Sequence, residues 1–189
     1  MANYITNKLK IVGSKEQIQK VFDFIKIEKY FDKEINGIGT IDFNKITPMP
    51  KWVYNENLGF EDELKYGSEN CWRDWSIKNW GTKWNAFGQK DKRNTVDTIY
   101  FQTAWNGIPN LIRKLAWIFP DIIIEYSYCN EDFGYGVGRY KFKDTEILEE
   151  YLPTGGTKEA YELAFEITGE SPESMDLMFD EKNGTFIYK

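Results

Sequence analysis

The chain has 189 residues, 41% of them hydrophobic and 17% aromatic, which excludes a disordered polar chain and suits one globular domain with an appendage. No apolar run approaches the ~18 residues of a membrane span and no secretory pattern opens the sequence, so a cytoplasmic location is expected. Histidine is absent, which removes Ser-His-Asp and Cys-His triads and the imidazole ligands of catalytic zinc.

The net charge of −6 is unevenly spread. Residues 1–143 carry 21 Lys+Arg against 18 Asp+Glu, and residues 144–189 carry 3 against 12. An acidic C-terminal quarter disfavours nucleic acid and anionic membrane there and favours a basic protein surface. Cys71 and Cys129 are the two cysteines. They are too few for a disulfide framework or a zinc site, and are expected to be buried, reduced thiols.

Taken in order, Asn7 to Val12 alternates polar and apolar residues, the period of a half-buried strand. Ser14-Lys15-Glu16-Gln17 is a capping box, and Ile18, Val21, Phe22 and Ile25 follow at helical spacing. Gly37 and Gly39 break the pattern before a short second strand at Thr40–Phe43. Pro48 and Pro50 then carry the chain away from any sheet interior, because neither has a backbone donor.

Residues 50–92 read as an insertion centred on Cys71–Phe87, which holds Trp72, Trp75, Trp80 and Trp84, four of the chain's 7 tryptophans. A helix is predicted there, ending near Trp80-Gly81. Thr95 to Trp105 is a strand with Ile99, Phe101 and Thr103 on one face. Pro109 opens a helix that Pro120 ends, with Leu111, Ile112 and Leu115 as its stripe. Ile122 to Tyr128 reads as a central strand, and Asn130–Gly134 turns it into a return strand over Tyr135–Phe142. Gly136 and Gly138 leave one face of that strand bare for a bulky aromatic. Beyond it, Thr157 precedes a helix carrying Ala160, Leu163, Ala164 and Ile167, and Asn183-Gly184 turns a final hairpin.

The expected fold is therefore α+β: a ferredoxin-like split βαβ antiparallel sheet with two backing helices, a Trp-rich helical insertion and a C-terminal helix plus hairpin. Residues 1–145 form the ferredoxin-like domain, and 146–189 form an acidic extension packed on it.

Several runs resemble one known family. Asp42-Phe43-Asn44-Lys45-Ile46-Thr47-Pro48-Met49-Pro50, Asn79-Trp80-Gly81-Thr82-Lys83-Trp84-Asn85 and Phe101-Gln102-Thr103-Ala104-Trp105, followed by the helix ending Phe119-Pro120-Asp121, are similar to the YubB-type ferredoxin-like family of phage, prophage and plasmid proteins. The likeness covers roughly residues 5 to 145, the extent of a single domain. It implies the fold, a mobile-element origin and a place in the host bacterial cytoplasm. It supplies no catalytic residues, cofactor or metal.

The leading functional expectation is a non-enzymatic binding protein that acts on a host protein, in one version a defence nuclease whose basic nucleic-acid surface meets the acidic tail. Trp72, Arg73, Trp75, Lys83 and Trp84 are the candidate aromatic and cationic contacts, since Trp and Arg dominate interface hot spots. Glu149, Glu150, Glu159 and Glu162 are the candidate acidic ones. A divalent-cation role for these glutamates finds no supporting loop spacing. A second expectation is a nucleic-acid module using the sheet face, since Gly134, Tyr135, Gly136 and Tyr140 partly match an RNA-recognition strand. A third is an enzyme with a carboxylate or lysine site beside the insertion.

Overall fold

The computed structural model describes residues 2–27, 29–30, 33–34 and 40–189, so Gly37 and Gly39 lie outside the described residues. Strand β1 (Tyr4–Val12) opens the chain and buries Ile5, Asn7, Leu9 and Ile11 on one face. Helix α1 (Lys15–Ile25) starts at the predicted capping box, with Gln17 N donating to the Ser14 hydroxyl and Ser14 N to the Gln17 side chain. A two-residue pair, β2 (Lys29–Tyr30) and β3 (Lys33–Glu34), follows.

The second strand expected at Thr40–Phe43 is not formed. Asp42 instead accepts a hydrogen bond from Asn44 N and caps a single turn, α2 (Phe43–Ile46). A side chain that satisfies the backbone two residues on competes directly with a strand ladder. The insertion holds α3 (Phe60–Tyr66), a 3₁₀ turn at Ser68–Asn70, and α4 (Trp72–Trp80). Gly81 ends α4 as predicted, at φ 83° in the left-handed region that favours glycine.

The second half comprises β4 (Thr98–Ala104), α5 (Pro109–Ile118), β5 (Ile123–Asn130), β6 (Val137–Lys143), β7 (Glu146–Tyr151), α6 (Lys158–Thr168), and a separate hairpin of β8 (Leu177–Asp180) and β9 (Thr185–Tyr188). The main sheet runs β4-β1-β5-β6-β7, with every neighbour antiparallel. Both β4 and β5 are antiparallel to β1 and hence parallel to each other. The unit β4-α5-β5 is therefore split by β1, as the ferredoxin-like plan requires. Strand β7 was not foreseen: its residues Glu146–Glu150 are all exposed, so no alternation marks it.

One sheet face carries the larger core. Leu9, Ile99, Phe101, Ile124 and Phe142 pack there with Phe22 and Ile25 of α1, Leu111 and Leu115 of α5, and the buried indoles Trp75 and Trp80. Asn7, fully buried in the same face, is satisfied on three sides. It donates to the Thr103 hydroxyl at 2.9 Å and accepts from the Tyr126 hydroxyl at 2.5 Å, while Ile108 N donates to Tyr126 at 2.7 Å. A fully connected buried polar network of this kind fixes the register of β1, β4 and β5. The opposite face is covered at one end by α6, whose Ala160, Leu163, Ala164 and Ile167 pack with Cys129, Phe133 and Val137.

The bare strand face at Gly138 receives Tyr128, its cross-strand partner, and a Cβ there would fall 2.7 Å from that ring. Gly138→Ala is therefore expected to destabilise by about 1–3 kcal/mol through overpacking, measured by urea unfolding.

Both cysteines are free and buried. Burial pushes the Cys129 thiol up to about 12 from its ordinary 9.0, and burial with a Glu150 hydrogen bond raises Tyr140. A raised pKa gives stability that is complete below the ordinary value and lost as pH climbs toward the folded value, because the unfolded group ionises first. Stability is thus expected to fall from about pH 9 upward, less steeply in Cys129→Ala. At neutral pH a thiol reagent should modify Cys129 only after unfolding.

Candidate functional site

The site is built where the insertion rejoins the sheet. Trp80 is its peg: 4% exposed, it donates its indole N–H to the Thr47 carbonyl at 2.9 Å. It also meets Trp75 and Phe43 edge-on at centroid distances of 5.3 and 5.9 Å. A buried indole is stable only with such a partner for its N–H. Thr82, fully buried, donates to the Ala104 carbonyl at 2.7 Å and accepts from Ala104 N at 3.1 Å, clamping the loop to the end of β4. One pair of residues, Phe87 and Gln102, then exchanges backbone hydrogen bonds beside β4.

Asp42 ties the two halves of this seam. Its Oδ1 accepts from Asn44 N at 2.9 Å, Asn44 Nδ2 at 3.2 Å and Asn85 Nδ2 at 2.6 Å. The Asn85 side-chain oxygen accepts in turn from Phe43 N and Ala86 N, each at 2.9 Å. Met49 N donates to the Asn44 side-chain oxygen at 3.1 Å. Both carboxamides are thereby locked in orientation, each with one N–H to spare.

Above this knot lies a groove of about 520 Å³ whose walls include Trp72, Trp80, Trp84, Met49 and Val53. Asn44, Asn85, Ser76 and Lys51 also line it. Ser76 is 1% exposed, and its hydroxyl has no hydrogen-bond partner among the described residues.

Residues 79–170 match the model of a family described as the ferredoxin-like domain in Api92-like protein. No curated protein and no solved structure matches the chain. The match opens at Asn79 inside α4 and runs through the seam loop, β4 to β7 and α6. The ferredoxin-like assignment thus rests on the split βαβ topology and on this match together.

On the ferredoxin-like domain, the residues singled out in the sequence fall into separate places. Trp72 and Trp84 are half-buried and share the groove. Lys83 lies over the rings of Trp84 and Trp105, 4.7 and 5.1 Å from their centroids. Trp75, 7% exposed, belongs to the core. Arg73 pairs with Glu63 of α3 and with Asp74. The acidic set lies elsewhere. Glu149 and Glu150 are successive residues of β7 and so point to opposite faces of the sheet. Arg139 joins Glu149 at 3.0 Å and Glu166 of α6 at 3.2 Å. Glu159 and Glu162 share the Glu166 face of α6 by helical spacing, and Glu162 pairs with Lys158 at 3.5 Å. Among the described residues no cluster of three or more His, Cys, Asp or Glu is arranged to hold a metal ion, and no helix is long and apolar enough to cross a membrane.

On the part of the second sheet face that α6 leaves open, two lysines share one carboxylate. Lys10 and Lys141 both reach Glu125, at 3.4 and 3.3 Å.

The sequence reading missed Asn44, Asn85, Ser76 and Lys51 as groove residues. The Asp42-Phe43-Asn44 cap was a visible signal for the first. The others are placed only by long-range packing, across 42 positions between Phe43 and Asn85. Trp80→Ala is expected to cost about 3–5 kcal/mol in urea unfolding, as for other buried aromatics. Trp72→Ala and Trp84→Ala, at half-exposed positions, should cost far less and keep the fold.

Proposed function

We propose that the protein is a non-enzymatic binding protein of a mobile element that acts on a host protein through the acidic flank formed by β7 and α6. A host defence nuclease, with a basic nucleic-acid groove, is the target class that this charge fits.

The observation that supports this reading is the state of β7. It is an edge strand, and its backbone makes no hydrogen bond outside the β6 ladder among the described residues. Ile147 and Leu148 are 43% and 47% exposed. An open strand edge is a template for an added strand. Two residues of β7, Ile147 and Glu149, face consecutive Phe142 and Lys141, so Leu148 sits in a bulge. Pairing with a second copy would set glutamates against glutamates, which opposes self-association and favours a partner rich in Lys and Arg.

The test is capture from nuclease-treated bacterial lysate by wild type, by Leu148→Pro, and by Glu149→Lys/Glu150→Lys. The reading expects one protein retained in stoichiometric amount, released by raised salt, and lost with both variants while their circular dichroism is unchanged. Equal capture by all three proteins contradicts it.

A further inference from the structure

The Trp-lined groove plays no part in the acidic flank and has a chemistry of its own. Its size, about 520 Å³, is that of a small-molecule site. Its apolar walls are dominated by indole rings; Asn55 brings a carboxamide with both donor and acceptor, and the other two carboxamides present donors. The side-chain oxygens of Asn44 and Asn85 are already occupied by Met49 N, Phe43 N and Ala86 N. Their amide nitrogens each use one hydrogen on Asp42 and keep the other. Among the described residues Lys51 is the only charged side chain lining the groove; the Asp42 carboxylate lies behind Asn44 and Asn85 and accepts from their amides. Ser76 adds a hydroxyl buried in the wall that has no hydrogen-bond partner among the described residues.

These features define the ligand by complementarity. A cation is disfavoured by Lys51. A polyol could accept from these donors through its hydroxyls but brings no aromatic face to the indole rings. What fits is a flat ring with several acceptor atoms, neutral or anionic overall.

We propose that the groove binds a nucleobase, carried by a nucleoside 5′-monophosphate or by an unpaired position of a nucleic-acid strand. The ring packs against both Trp72 and Trp84, the two half-buried indoles of the groove. Its carbonyl and ring-nitrogen acceptors take the spare hydrogens of Asn44 and Asn85. The phosphate matches the charge of Lys51. Base–aromatic stacking of this kind tolerates different bases because each has a π face.

The test is nuclear magnetic resonance of the ¹⁵N-labelled full chain, with the Trp72 and Trp84 indole N–H signals assigned from Trp72→Phe and Trp84→Phe. AMP, GMP, CMP and UMP are titrated separately, followed by a short unstructured oligonucleotide and by ribose 5-phosphate. At least one base-bearing probe is expected to shift both signals saturably, and ribose 5-phosphate to leave them in place. Lys51→Glu and Trp84→Ala should each weaken that binding about tenfold or more, as loss of a stacked base contact does. Tighter binding of the oligonucleotide than of any mononucleotide would assign the base to a strand, and the reverse would assign it to a free nucleotide. The proposal is overturned if no base-bearing probe shifts the two signals. It is also overturned if ribose 5-phosphate shifts them equally, or if Trp84→Ala binds as wild type does.

Discussion

One carboxylate oxygen governs how the insertion meets the sheet. Asp42 Oδ1 accepts from two donors of Asn44 and one of Asn85, and a charged acceptor makes each of these bonds stronger than a neutral one would. The ferredoxin-like plan calls for a strand beyond β4, yet the chain at 40–46 turns into α2 instead. The edge of β4 is covered by the loop after α4, through Thr82 at one end and Phe87 at the other. Asp42 joins the diverted segment to that loop. The groove is the space left between them, so the fold and the candidate ligand site share one cause.

Much of the fold was legible because its signals are local. The capping box at Ser14, Pro109 at the start of α5, Gly81 in the left-handed region and the Asn183-Gly184 turn each act within a few residues. The split βαβ order followed from these elements in sequence. Two features resisted. Thr40–Phe43 has the alternation of a strand, but Asp42 captures Asn44 N and bends the chain first. Strand β7 has no buried face to impose a period; only its pairing with β6 makes it a strand.

The candidate sites were legible in part for the same reason. Aromatic density announced the insertion, but four nearby tryptophans have two different fates. Trp75 and Trp80 fill the core, while Trp72 and Trp84 keep a face on the groove. No spacing rule separates them, because the choice is made by what packs opposite. The acidic tail was visible as a charge count, yet its glutamates are divided between two faces of β7 and one face of α6, with Arg139 compensating two of the carboxylates. Charge at this flank therefore belongs to an open strand edge rather than to a featureless acidic patch. Indole groove and strand edge lie on different elements.

The most direct test of the seam is a double-mutant cycle in urea unfolding with Asp42→Ala, Asn85→Ala and the pair. Because the two side chains share one direct bond and hold adjacent backbone N–H groups, Asn44 N and Phe43 N, at the start of α2, the account predicts a coupling energy of about 1 kcal/mol or more. Additive effects, with coupling within about 0.3–0.5 kcal/mol of zero, would contradict the claim that Asp42 and Asn85 together hold the insertion on the sheet.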